Sequence, residues 1–331
     1  GNPMSTRVAP KVMVPEIHPS HLALVEGGVD LADPEFGGAG NDGVMPAVLD
    51  RSVEHKGPLN VVLKYFATGI GPDGDPLDEL RITHALNAGI GGVGASPPSA
   101  ATVSAAHVGG TDSVIVQLMG RLTSEGQHQH GHGKQPRRAA VYRLVEDGRP
   151  LAKKPLDSVR MLRGRWEPQA VSADWLLGVA SELAVALAYS HAYHVAHGDV
   201  YAHNVLVDFA QAKGTKPTML PGHSLATLYD FGAAFFYPRR EGPEPSGFEI
   251  VEVRAFGLLL SDMVEYLKPP GGEAASHVNY LGSLAAAASD TTHPTRRPKF
   301  EDMARALEVL RVSGPAMASK ILALPYGPGP G

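Results

Sequence analysis

The chain has 331 residues, a formal net charge of −5 at neutral pH and no cysteine. A disulfide framework, a cysteine-ligated zinc or iron–sulfur site and a cysteine nucleophile are thereby excluded, and the acidic balance offers no field for nucleic acid. Hydrophobic residues make up 43%, enough to fill a sizeable core; the 38 glycines and 28 prolines, about one residue in five against roughly 12% in average usage, imply many backbone interruptions without the composition of disorder.

Residues 1–33 read as a polar N-terminal extension with one short apolar piece, Leu22–Val25. The first ten residues lack the apolar run of a signal peptide, and no apolar stretch reaches the roughly 18 residues needed to cross a membrane. An intracellular, cytoplasmic chain with no membrane span is the expectation. From Phe36 to about Val145 the segments are short and rich in β-formers. Leu59–Phe66 (LNVVLKYF), Ser113–Leu118 (SVIVQL) and Ala139–Val145 (AAVYRLV) have the pattern of buried strands. Leu77–Leu86, preceded by Gly, Pro and Asp, carries helix-start signals.

After Gly148 the pattern turns helical. Ser172 is a suitable N-cap for a helix in which Leu176, Val179, Leu183 and Leu187 recur at helical spacing as far as about His194. Glu249–Leu267 is apolar over most of its circumference, the mark of a buried helix, and an amphipathic helix is expected over Phe300–Leu310. Low-complexity stretches at 89–106, 124–138, 210–224 and 238–247 fall between these segments and read as loops or insertions.

Chemistry concentrates in His197-Gly198-Asp199-Val200-Tyr201-Ala202-His203-Asn204, followed by Tyr229-Asp230-Phe231-Gly232. Two aspartates and an amide at these spacings suit phosphoryl transfer: one carboxylate orients an attacking hydroxyl, while the amide oxygen and the other carboxylate hold magnesium against a triphosphate. The pair of motifs resembles the catalytic loop and metal motif of the protein kinase superfamily. Further elements in the family's order carry the resemblance over about Gly38–Leu310. They are Gly38-Ala39-Gly40-Asn41-Asp42-Gly43, Val61-Val62-Leu63-Lys64, Asp78-Glu79-Leu80-Arg81, Val145-Glu146-Asp147-Gly148, Glu252-Val253-Arg254-Ala255-Phe256-Gly257 and Arg297-Pro298-Lys299-Phe300.

The resemblance implies an α+β, two-lobed kinase-like fold. The N-lobe would span 34–146, with a His/Gly-rich insertion near 123–138, and the C-lobe 147–312, with an insertion near 209–224; 313–331 would be a tail. It also implies an ATP- and Mg2+-dependent enzyme. Lys64, paired with Glu79, would contact the α- and β-phosphates, and Gly38, Gly40 and Gly43 would lie over them. Val62 and Leu206 would sandwich adenine beside the backbone of Glu146, Asp147 and Gly148. Asn204 and Asp230 would be the metal ligands and Asp199 the acceptor's base. His197 would be a core residue rather than a base.

The departures narrow the expected function. Gly198 stands where the family has an arginine that meets an activation-loop phosphate. Only 19 residues separate Gly232 from Glu252, their only phosphate acceptors being Tyr237 and Ser246. The expectation is a protein kinase acting on Ser or Thr, with Tyr not excluded, and not controlled by activation-loop phosphorylation. Tyr201 favours neither Ser/Thr nor Tyr as acceptor. Glu252 is one methylene longer than the family's aspartate, and Thr83 replaces an apolar residue. A small-molecule kinase of the aminoglycoside/choline-kinase type, which shares H-G-D and lacks the peptide platform, is the alternative, as is a nucleotide-binding pseudokinase scaffold. His128, His130 and His132 lack carboxylate neighbours to orient them and read as part of an insertion, not a metal site.

Overall fold

The computed structural model describes residues 13–24, 41–51, 56–66, 75–89, 113–122, 138–145, 147–152, 171–212, 224–238, 246–267 and 275–322. It is a mixed α+β fold in which a six-stranded sheet is followed by a mainly helical region. The strands are β1 (Glu16–Ile17), β2 (Leu22–Leu24), β3 (Asn41–Leu49), β4 (Leu59–Phe66), β5 (Leu118–Leu122) and β6 (Arg138–Arg143). They lie side by side as β1-β5-β6-β4-β3-β2, antiparallel throughout except for the β1–β5 pair. The segment read as an extension thus supplies two strands: Leu22–Leu24 pairs with Ala47–Leu49, which takes part of the one apolar piece of the N-terminus into the sheet.

Alternation along β4 explains why this strand can serve two purposes. Val61, Leu63 and Tyr65 enter a small apolar cluster with Ile17, Leu49 and Val141, whereas Phe66 faces the main core with Ala140 and Tyr142. By the two-residue period of a strand, Lys64 shares that second face. Helix α1 (Pro76–Asn87) starts with proline inside its first turn, and the Asp75 side chain accepts from the Leu77 N–H as N-cap. Its Leu80, Ile82 and Leu86 are buried in the main core.

The run Ser113–Leu118, expected as a strand, joins the sheet only from Leu118. Its upstream backbone is committed elsewhere: the Val116 N–H donates to the Leu228 carbonyl (2.9 Å) and the Leu228 N–H to the Val114 carbonyl (2.8 Å). The apolar run therefore ties the sheet to the element that carries Asp230.

Short strands β7 (Gly148–Pro150), β9 (Val205–Asp208) and β10 (Ala226–Leu228) form a second sheet, and β8 (Val195–Ala196) pairs with β11 (Phe235–Phe236). Around them lie α2 (Ala173–Ala192), α3 (Gly247–Tyr266), α4 (Ala275–Ser289), α5 (Phe300–Ser313) and α6 (Pro315–Leu322). Ser172 caps α2 through the Trp175 N–H, as its sequence indicates. Ser246 and Glu249 close a reciprocal capping box at the start of α3. Helix α4, an alanine-rich stretch, and α6, within the stretch expected as a tail, have no counterpart among the elements expected from sequence. Among the described residues, α2 alone is long and apolar enough to cross a membrane, and 83% of its apolar window is buried inside the protein.

Candidate functional site

Three chain segments far apart in sequence meet at one ammonium group. Lys64, from β4, donates to both carboxylate oxygens of Glu79 on α1 (2.8 and 2.9 Å) and to Asp230 Oδ1 (2.7 Å) just after β10. Burial alone would pull the lysine below its ordinary range, but the two carboxylates outweigh it and hold the ammonium above that range. Burial works against the Asp230 carboxylate too, yet its contact with Lys64 leaves it below the usual carboxylate range. Glu79 lies above that range, since burial and the second carboxylate oppose the pull of Lys64.

Asp230 holds this position with a left-handed backbone, φ 61° and ψ 72°, a conformation uncommon outside glycine. What secures it is the residue on either side. Phe231 is fully buried, its ring edge-on to His197 at 4.7 Å, and the Tyr229 N–H donates to the Asn204 carbonyl (3.1 Å). His197 donates through Nε2 to the Tyr229 carbonyl (3.0 Å) and accepts the Asp199 N–H at Nδ1 (3.3 Å). One buried imidazole therefore links the two motifs through their backbones, in keeping with a core role.

Asn204 closes a single 3-10 turn, Ala202–Asn204, between Asp199 and β9. Its amide nitrogen donates to the Asp199 carbonyl (2.9 Å) and to Asp199 Oδ2 (2.6 Å). Both amide hydrogens are thereby engaged, which leaves the side-chain oxygen as the group available to a cation. That oxygen and the Asp230 carboxylate are hard oxygen donors, the ligand type that suits Mg2+. Among the described residues no cluster of three or more His, Asp or Glu could hold a metal by itself.

The stretch His197–Asn204 is pinned from below by Glu252 of α3. Its Oε1 accepts the Gly198 N–H (2.8 Å) and its Oε2 meets His191 Nε2 (2.6 Å). Burial would raise this carboxyl, but its hydrogen bonds with His191 and Gly198 hold it below the ordinary range. The methylene that distinguishes Glu252 from aspartate gives it the reach to hold both partners. Gly198 adopts φ +80°, and a Cβ there would lie 2.4 Å from the Ala233 carbonyl oxygen. No side chain fits this position without moving the backbone that follows Phe231.

The other expected site residues fall as follows. Val62 and Leu206 are half-buried, on β4 and β9. Gly43 lies within β3 opposite Tyr65, at a register irregularity, and not in a loop. Gly148 opens β7 after a turn closed by its N–H to the Val145 carbonyl (3.2 Å), with Asp147 at φ 54°. Gly38, Gly40 and Glu146 lie outside the described residues, as do His128, His130 and His132. Tyr237 and Ser246, the two hydroxyls open to phosphate by sequence, are both engaged. The Tyr237 hydroxyl donates to Glu249 Oε1 (2.7 Å), and Ser246 caps α3.

Sequence reasoning missed Tyr142. Its hydroxyl donates to Glu79 Oε1 (2.8 Å), the same oxygen that receives Lys64. The signal available was its place in AAVYRLV: a polar-tipped aromatic inside a run otherwise suited to burial needs a hydrogen-bond partner. Compared with known proteins, the chain matches no family model and no curated protein.

Proposed function

We propose that the chain is an ATP- and Mg2+-dependent phosphotransferase of the protein-kinase type, its main sheet and its helical region acting as the two lobes around the nucleotide, and that its acceptor is a protein hydroxyl. The observation that carries this reading is the convergence of Lys64 on Glu79 and Asp230. A cation held by two carboxylates from separate elements is poised to exchange one of them for phosphate oxygens when nucleotide enters.

Lys64, steadied by Glu79, would then bind the α- and β-phosphates. Mg2+, when bound by Asn204 and Asp230, supplies charge neutralisation between the phosphates. Asp199 receives the proton of the acceptor hydroxyl as the new oxygen–phosphorus bond forms and the bond to the β-phosphate breaks, leaving ADP. Catalysis of this type rests on positioning and electrostatics, which a site bonded together in advance provides. Gly198 in place of a larger side chain, with Tyr237 and Ser246 already engaged, supports an enzyme not controlled by phosphorylation between Gly232 and Glu252.

The test is transfer from radiolabelled ATP to a generic protein acceptor, with Asp199→Asn as control. Label on protein that disappears in the variant is the expected result. ATP turnover without protein labelling moves the assignment to a small-molecule hydroxyl, the reading favoured by the 19-residue connection to Glu252. No binding of Mg-ATP refutes the enzyme.

A further inference from the structure

The hydroxyl of Tyr142 has no part in the chemistry described above, yet it reaches the group on which the Lys64 pair depends. Tyr142 sits on β6 directly opposite Val62 of β4, with Ala140 opposite Lys64. Opposed residues of antiparallel strands share a face, so Tyr142, Val62 and Lys64 look the same way, toward α1. The ring is almost wholly buried. Its hydroxyl donates to Glu79 Oε1 at 2.8 Å and also interacts with the Thr83 hydroxyl, one turn further along α1. Thr83, itself fully buried, donates to the Glu79 backbone carbonyl (2.8 Å). Glu79 is therefore held by Lys64 and Tyr142 at its carboxylate and by Thr83 at its backbone.

The position of α1 is what this arrangement secures. If α1 moved away from the sheet, Glu79 would part from Lys64, and the Tyr142 hydroxyl would be left buried without its charged partner. A buried donor separated from a charged acceptor carries a large penalty, more than the net worth of an ordinary hydrogen bond. Burial and the neighbouring carboxylate also keep the phenol well above its ordinary range, so it stays a donor at every physiological pH.

We infer that Tyr142 is a positioning residue that tethers α1 to the sheet through Glu79, keeping the Lys64–Glu79 pair assembled before nucleotide arrives. The consequence for activity rests on the phosphotransferase reading; the tether itself does not. Thr83, which stands where the family carries an apolar residue, belongs to the same device: it supplies a polar neighbour for the phenol.

Two measurements on the full chain test the tether. Hydrogen–deuterium exchange of wild type and Tyr142→Phe reads α1 directly. Exchange over Pro76–Asn87 should rise about tenfold, the scale set by one charge-assisted hydrogen bond, while α2 and α3 stay unchanged. Calorimetric titration with Mg-ATP supplies the second. Tyr142→Phe should weaken binding about tenfold in the wild-type background and not at all on top of Glu79→Ala, a non-additivity that lost packing would not produce. Unchanged exchange over α1, or equal losses of affinity in both backgrounds, overturns the inference. Failure of the wild-type chain to bind Mg-ATP removes the proposed function, and the exchange experiment then decides the tether alone.

Discussion

Replacing Gly198 with alanine adds one methyl group at a point where two separate costs can be read. The first is torsional: φ +80° lies where an L-residue with a Cβ is strained, by about 1–2 kcal/mol. The second is steric. The new Cβ would stand 2.4 Å from the Ala233 carbonyl oxygen, a backbone atom that cannot swing aside as a side chain would. Forcing extra volume into such a contact costs about 1–3 kcal/mol. The sum is about 2–5 kcal/mol, or a fall in Tm of about 4–10 °C at roughly 2 °C per kcal/mol for a chain of this size. Gly314 provides the internal control, because it has φ +79° and nothing within 4 Å of a built Cβ. Gly314→Ala should show the torsional cost alone. Denaturant unfolding of both variants beside wild type yields the difference, with Gly198→Ala lower by the steric share. A loss in Gly198→Ala no larger than the torsional cost of about 1–2 kcal/mol would refute the steric lock and show that Ala233 yields freely.

Glu182 of α2 accepts the Ala226 N–H (2.8 Å), and burial pushes its carboxyl up to about 7. A raised folded-state value means that its stabilising contribution is complete below the usual carboxylate range and is lost as pH rises through about 7; Glu182→Gln, which keeps the acceptor oxygen, should therefore gain on the order of 2 kcal/mol over wild type at pH 8 and nothing near pH 4, measured by urea unfolding. Lys64→Met leaves Glu79 and Asp230 facing each other without a cation, so stability at neutral pH should drop by roughly 3 kcal/mol. The pH dependence of that loss also has a sign. In wild type the depressed Asp230 contributes stability above its ordinary range that fades on acidification, whereas the Met variant should recover relative to wild type as pH falls and the carboxylates protonate. Gly257→Ala would set a Cβ 2.8 Å from the Ala288 Cβ and the Ser289 nitrogen, forcing α3 and α4 apart; a loss of about 1–3 kcal/mol in thermal unfolding is expected, with Mg-ATP affinity unchanged.

Elements whose signals are local are legible in the sequence alone. Ser172 caps the helix expected of it, the helix expected over Leu77–Leu86 is α1, and Leu59–Phe66 is β4 to the residue. Lys64, Glu79, Asp199, Asn204 and Asp230 are nominated by motif, and the fold brings Lys64, Glu79 and Asp230 into direct contact and Asn204 onto Asp199. What escapes is whatever depends on a partner distant in the chain. Ser113–Leu118 has strand composition, but its backbone is shared between β10 and the sheet, which no local pattern reports. The Tyr142–Glu79 bond spans 63 residues, and Glu252 gains its purpose only from His191 and Gly198 on other elements. Helix α4 leaves little trace because an alanine-rich stretch with little polar contrast has a weak period to detect.

The connection from Gly232 to α3 has one more consequence. Tyr237 is buried with its hydroxyl donating to Glu249 Oε1, and the Ser246 hydroxyl accepts the Glu249 N–H in the capping box, so both hydroxyls of this connection meet one glutamate, the first at its carboxylate and the second at its backbone. A phosphate on Tyr237 would set negative charge against the Glu249 carboxylate and take away the hydrogen bond that carboxylate accepts in the first turn of α3. In an enzyme whose connecting segment is ordered by phosphate, the modification adds structure; here it would act as a wedge, prising open the end of the helix that carries Glu252 and, through it, the Gly198 turn.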